Sequence, residues 1–150
     1  MTSSAQLKIA LCSDHAGFEL KNKISDYLKT GDAVEIKDFG AYSAMPADYP
    51  DYAHPMAKAV ERGDFDFGIA FCGTGNGINM TVNKHQGIRS ALCWMPELAE
   101  LARRHNDANV LAIPARFLAY ELTVSIVEKF LSTEFDGGRH LIRVEKMRCN

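Results

Sequence analysis

Five short apolar runs, each followed by a stretch of helical periodicity, constrain this chain more than any other feature. The runs are Lys8 to Ser13, Val34 to Phe39, Phe67 to Cys72, Ile88 to Cys93 and Val110 to Ile113. Each has the length of a strand, and none is long enough for a buried helix. The first intervening helix is patterned by Phe18, Leu20, Ile24, Tyr27 and Leu28 and stops at Gly31. A second runs from about Tyr52 to Arg62, after a Pro-, Tyr- and Asp-rich stretch, Met45 to Tyr52, that reads as a loop. A short third helix reaches Val82, a fourth runs from Pro96 to His105-Asn106-Asp107, and a fifth spans Leu118 to Leu131. Such alternation predicts an α/β fold of three layers around a five-stranded parallel sheet. Ligands of these folds sit beyond the carboxyl ends of the strands. Asp14, His15, Cys72, Trp94 and Arg116 all fall there.

The third run ends in Cys72-Gly73-Thr74-Gly75-Asn76-Gly77, a cysteine followed by alternating glycines. Glycines at this spacing let successive N–H groups converge on one point, and a helix starting at Asn76 or Gly77 adds the positive end of its dipole. The turn is therefore suited to an oxyanion. A thiol facing such donors has its thiolate stabilised, so Cys72 is expected to serve as base or nucleophile near neutral pH. Three better-known motifs do not fit. Dinucleotide binding requires G-x-G-x-x-G after a first strand, a P-loop requires Lys and Ser/Thr where Ile78-Asn79 follow, and a cysteine phosphatase loop requires arginine at the position of Ile78.

With 150 residues the chain has the length of one domain. A net charge of −2 offers no electrostatic case for nucleic acid or an acidic membrane surface. The first residues lack a signal-peptide pattern and no apolar run approaches a membrane span, so a cytoplasmic protein is expected. Cys12, Cys72, Cys93 and Cys149 are widely spaced with no C-x-x-C, which argues against a disulfide framework and against a metal. Near the end, Arg139 and Arg143 follow a glycine turn four residues apart and share one face of a helix, an arrangement that suits a phosphate.

Taken together and in order, Asp14-His15, Asp48-Tyr49-Pro50, Cys72 to Gly77, Asn83-Lys84, Gly87-Ile88-Arg89, His105-Asn106-Asp107 and Gly138-Arg139-His140 resemble the type B ribose-5-phosphate isomerases. The resemblance covers nearly the whole chain, and the family also includes galactose-6-phosphate and allose-6-phosphate isomerases. It implies a Rossmann-like fold, a homodimer or dimer of dimers with active sites between subunits, residues 135–150 packing at the dimer interface, and no cofactor or metal. By the same resemblance Cys72 is the base that moves a proton between C2 and C1 of the sugar. Gly73, Thr74, Gly75, Asn76 and Gly77 hold the enediolate oxygens, with Thr74 counted among the catalytic residues. His105 opens the furanose ring with Asp14 assisting, and Asn106 touches the intermediate. His15, Arg139, Arg143 and Arg116 receive the phosphate, and Tyr49 lines the site. Ile78 stands where another branch of the family carries a glutamate, which places this chain in the thiol-base branch. The implied reaction interconverts ribose 5-phosphate and ribulose 5-phosphate. The alternatives are a six-carbon sugar phosphate as substrate, or a sugar-phosphate-binding module without turnover.

Overall fold

A computed structural model describes residues 5–149. The strands are β1 (Leu7–Ser13), β2 (Val34–Asp38), β3 (Phe67–Cys72), β4 (Ser90–Leu92) and β5 (Val110–Pro114). The helices are α1 (Phe18–Lys29), α2 (Tyr49–Glu61), α3 (Asn76–Val82), α4 (Pro96–Asn106), α5 (Tyr120–Ser132) and α6 (Arg139–Lys146). The strands form one parallel sheet in the order β2-β1-β3-β5-β4. The expected five-stranded α/β architecture is therefore the one observed.

Strand residues alternate between two faces of unlike size, and this sets the layers. Ile9, Leu11, Ile69, Phe71, Leu111 and Ile113 point to one side, where they meet Ile24 and Leu28 of α1, Ala99 and Ala102 of α4, and Ile126 and Phe130 of α5. Ala10, Cys12, Ala70, Cys72 and Ala112 point to the other, against Ala53, Met56, Ala57 and Val60 of α2 and Ile78 and Val82 of α3. Large side chains on one face and small ones on the other let α2 lie close to the sheet. At Gly68 a Cβ would come within 2.5 Å of Met56 Sδ.

Three boundaries differ from expectation. α2 begins at Tyr49, not Tyr52, because Pro50 occupies a first-turn position where its missing N–H costs nothing. β4 is only Ser90–Leu92, since Ile88 N–H turns back to His85 O and Arg89 N–H is taken by the side chain of Asn109. α5 begins at Tyr120. The tail does form a helix, and its exposed face carries both Arg139 and Arg143.

Two buried cations hold the framework. Lys21 is fully buried, donates to Asp38 Oδ1 at 2.8 Å and to Ala41 O, and sits 5.6 Å and 5.8 Å from the rings of Phe18 and Tyr42. Arg103 lies 4.9 Å from the ring of Phe67 and 5.8 Å from that of Phe130, and donates to Ala108 O, Thr133 O and Asp107 Oδ1. Asp107, left-handed at φ 46°, also accepts from Arg89. The end of α4 is thus pinned to the core on both sides.

Candidate active site

The strand order reverses direction between β1 and β3, and the chain leaves both strands there, opening a crevice between them. Asp14 follows β1 and Cys72 ends β3. Both are nearly buried, at 6% and 7% exposure. One Asp14 oxygen accepts the Gly17 N–H at 3.0 Å and so shapes the turn into α1, while the other accepts the Cys72 thiol at 3.2 Å. Asp14 therefore holds the turn before α1 and still presents a carboxylate oxygen to the thiol.

Burial, then the hydrogen bond and charge of Asp14, push the Cys72 thiol up to about 11, while the N–H groups of Gly73 and Ile78 pull it down. The glycine turn acts on the thiol in the expected direction, but burial and the carboxylate outweigh it. The expectation of a thiolate near neutral pH is corrected accordingly: a thiol pushed up to about 11 keeps its proton there.

Gly75 and Gly77 are required by close approach. Gly75 adopts φ 78°, and a Cβ there would meet Leu92 Cδ1 at 2.4 Å. A Cβ at Gly77 would lie 2.5 Å from Tyr49 Cζ, so the Tyr49 ring rests directly on the turn. At Gly73 a Cβ would come within 3.2 Å of Arg116 Nη1. Arg116 is fixed over the turn by its N–H to Gly73 O at 3.1 Å, and the neighbouring Ala115 N–H binds Cys72 O at 2.8 Å. Thr74 is exposed, and its Oγ1 accepts the Asn76 N–H. His15 Nδ1 lies 3.1 Å from Ala47 N and 3.3 Å from Ala47 O, which ties the loop before α2 to the end of β1. Asp14, His15, Tyr49, Cys72, the turn from Gly73 to Gly77, and Arg116 are thereby gathered at one end of the sheet.

His105, Asn106, Arg139 and Arg143 are not among them. α4 runs antiparallel to the strands, so its last turn lies beside the start of β5, where Val110 pairs with Gly68 and Ser90. Cys72 pairs with Pro114, four residues further along β5 and so about 13 Å away along the strand direction at ordinary strand rise. At that far end the rings of His105 and His140 stack, with centroids 4.3 Å apart and planes 9° apart. Among the described residues, His105, Asp136 and His140 are the one group of three whose ligand atoms converge, within 4.8 Å, as a metal would need. The Asp136 carboxylate is already engaged by Arg104, at 3.2 Å to each oxygen.

Sequence reasoning did not find Lys21 and Arg103, which position the two ends. A charge in an apolar helical stripe gives no sign of its partners, and only the Gly87-Ile88-Arg89 and Asn106-Asp107 motifs hinted at this network.

Fold and site together define a doubly wound α/β protein whose ligand crevice pairs a thiol with a carboxylate at the switch point of the sheet. Residues 9–147 match the Ribose/Galactose Isomerase family, and the chain belongs to that family. It is 46% identical over 138 residues to ribose-5-phosphate isomerase B of Escherichia coli, covering 92% of each chain. A ribose 5-phosphate isomerase structure from Thermotoga maritima superposes with a TM-score of 0.92 at 49% identity, over 95% of this chain and 97% of that one. The ribose-5-phosphate isomerase B of Mycoplasma genitalium, solved with bound ribulose-5-phosphate, gives a TM-score of 0.90 at 40% identity, over 96% and 95% of the two chains.

Proposed function

We propose that this protein is an aldose–ketose isomerase that interconverts ribose 5-phosphate and ribulose 5-phosphate. The observation that carries this reading is the buried Cys72–Asp14 pair facing a glycine turn, on a fold shared with isomerases of that substrate. Isomerisation needs one base that takes a proton from C2 and returns it to C1, and donors that stabilise the enediolate between these steps. Cys72 is the base. Its thiol proton passes to the adjacent Asp14 oxygen, and the thiolate then removes the C2 proton while the electron pair forms the C1–C2 double bond of the enediolate. The same thiol returns the proton at C1 as the O2 hydroxyl proton passes to O1 and C2 becomes the ketone carbonyl, and Asp14 then gives its proton back to the thiolate. A high thiol pKa makes the thiolate a stronger base for a carbon acid and a scarcer one, which is why a proton acceptor in contact with it matters. The turn from Gly73 to Gly77, with Thr74, receives the enediolate oxygens, and Tyr49 walls the site.

Ring opening and phosphate binding fall to His105, Asn106, Arg139 and Arg143, together with His15 and Arg116. Four of these lie at the far end of the sheet from Cys72, so one chain does not bring the whole set together. In a homodimer the far end of one subunit completes the crevice of the other. The exposed apolar residues Leu141, Ile142 and Met147 on and beside α6 support an interface there. The reading needs no metal, so activity should survive EDTA, and a loss restored by added zinc would overturn it. Four free thiols suit the reducing cytoplasm. Among the described residues no helix is long and apolar enough to cross a membrane.

The test is turnover of purified protein on a panel of five- and six-carbon aldose phosphates, with Cys72→Ser alongside. Ribose 5-phosphate should be the preferred substrate. The serine variant should bind it and lose roughly a thousandfold or more in kcat, because serine's alkoxide is inaccessible near pH 7. Binding without turnover by the unaltered protein would instead mean a sugar-phosphate-binding module.

A further inference from the structure

We propose that His140 is a positioning residue for His105: its ring, lying flat against the imidazole of His105, holds that imidazole in the plane from which it exchanges a proton with the sugar ring oxygen. The inference rests on the isomerase reading, in which His105 opens the furanose, and adds a residue to which that reading gives no part.

The stack is built by the local chain. Asp136 N–H binds Arg104 O at 3.0 Å, and Arg104 returns two contacts of 3.2 Å to the Asp136 carboxylate, so residue 136 is stitched to the turn of α4 that carries His105. Gly137 and Gly138 follow at φ 65° and 55°, with nothing within 4 Å of where their Cβ atoms would be. Glycine is needed there for backbone conformation alone, to fold α6 back across the end of α4. His140 N–H then closes onto Gly137 O at 3.0 Å, and His140 is the one buried residue of α6. Its ring lies flat against that of His105, with centroids 4.3 Å apart.

The charges around His140 favour such a role. Burial lowers its pKa, as do His105, Arg139 and Arg143, with only Asp136 opposing them, so near pH 7 the ring is neutral. A neutral ring tolerates a cationic partner on its face, which a second cation would repel. His105 can therefore gain and lose a proton without the stack being forced apart. The plainer role, an anchor for α6, predicts something else. Arg139 and Arg143 ride on that helix, so loss of an anchor would appear first in phosphate binding.

The experiment measures kcat and KM on ribose 5-phosphate for His140→Ala and His140→Phe, each alone and combined with His105→Ala. Removing the ring should lower kcat about tenfold or more with KM changed less than about threefold, since misplacing a catalytic group acts on the chemical step. Phenylalanine keeps a flat ring and should retain most of kcat. In the His105→Ala background, His140→Ala should cost nothing further, because a residue that acts only through His105 has nothing left to act on. Losses that multiply in the double variant, a rise in KM alone, or a phenylalanine variant no better than alanine would each overturn the proposal. If His105→Ala by itself leaves turnover intact, the ring-opening assignment fails instead, and the two failures are told apart. A readout independent of turnover is the NMR of histidine-labelled protein. The ring protons of His105, shifted upfield by the face of His140, should move downfield in His140→Ala, and resonances that stay in place would show that the stack does not exist in solution.

Discussion

The thiol of Cys72 donates to Oδ2 of Asp14 across 3.2 Å, inside a crevice where both residues are nearly buried. The carboxylate raises the thiol pKa and, in the proposed reaction, also receives its proton. Asp14→Asn separates these effects. Burial still holds the thiol up, but without the charge it falls part of the way back from about 11, so iodoacetamide should modify Cys72 faster at pH 8 than in the unaltered protein. Isomerisation should drop all the same, because no acceptor takes the thiol proton. Peptide mass spectrometry separates modification of Cys72 from that of exposed Cys149, and slower modification in the variant would leave burial as the cause of the raised pKa, without a share for Asp14.

If His105 serves ring opening alone, it matters only for substrates that cyclise. Erythrose 4-phosphate cannot form a furanose, because its fourth hydroxyl is esterified. His105→Ala should lose most of its kcat/KM on ribose 5-phosphate and keep a far larger fraction on the four-carbon aldose. Equal fractional losses on both would place His105 in the proton-transfer step or in binding.

Arg139→Ala and Arg143→Ala should each weaken phosphate-dependent binding about 10- to 150-fold, the equivalent of about 1.5 to 3 kcal/mol for a charge-assisted hydrogen bond. Because these residues lie at the far end from Cys72, two impaired variants should repair one another when assayed at ribose 5-phosphate well below the KM of Arg139→Ala. Mixing Cys72→Ser with Arg139→Ala and allowing subunits to exchange leaves one intact crevice in each mixed dimer, and activity should rise to about a quarter of the unaltered level by random pairing. A mixture as dead as its parts would mean that both residues serve one crevice from the same chain.

Three buried thiols set a limit at high pH. Burial pushes Cys72 to about 11, Cys93 to about 12 and Cys12 higher still, against an ordinary value of 9.0. Between these values the unfolded chain has lost protons that the folded chain keeps. Stability is therefore whole below about pH 9 and falls as pH rises above it. Urea unfolding at pH 8 and pH 10.5 should show a smaller decline for Cys93→Ala than for the unaltered protein, by up to about 1.4 kcal/mol per pH unit. Equal declines would mean that Cys93 ionises alike in both states.

Most of the architecture was legible in the sequence because strand length and helical spacing are local properties. The same holds for the turn after Cys72, where glycine spacing reports backbone conformation directly. What remained hidden depends on distant partners. The protonation of Cys72 is decided by Asp14, 58 positions away, and by burial that no local pattern records. The placement of His105 opposite the crevice follows from α4 running against the strands, which the alternation implies but a list of motifs does not convey. Tyr49 reads as loop because prolines flank the region, yet a proline in a first helical turn is at home.

The loop ahead of α2 is moored at two points. Lys21 grips Ala41 from the core, and His15 meets the backbone of Ala47. Between the moorings residues 42–46 are all exposed. Tyr42 sets its ring near Lys21, but substitutions at residues 43–46 touch neither mooring, so over evolutionary time the wall beside His15 is free to drift while Asp14 and Cys72 keep their spacing. Lys21 has no such freedom, since a buried cation with one carboxylate and one carbonyl cannot be exchanged without rebuilding its partners. Lineages of this protein should therefore diverge at the rim of the crevice long before they diverge at its root.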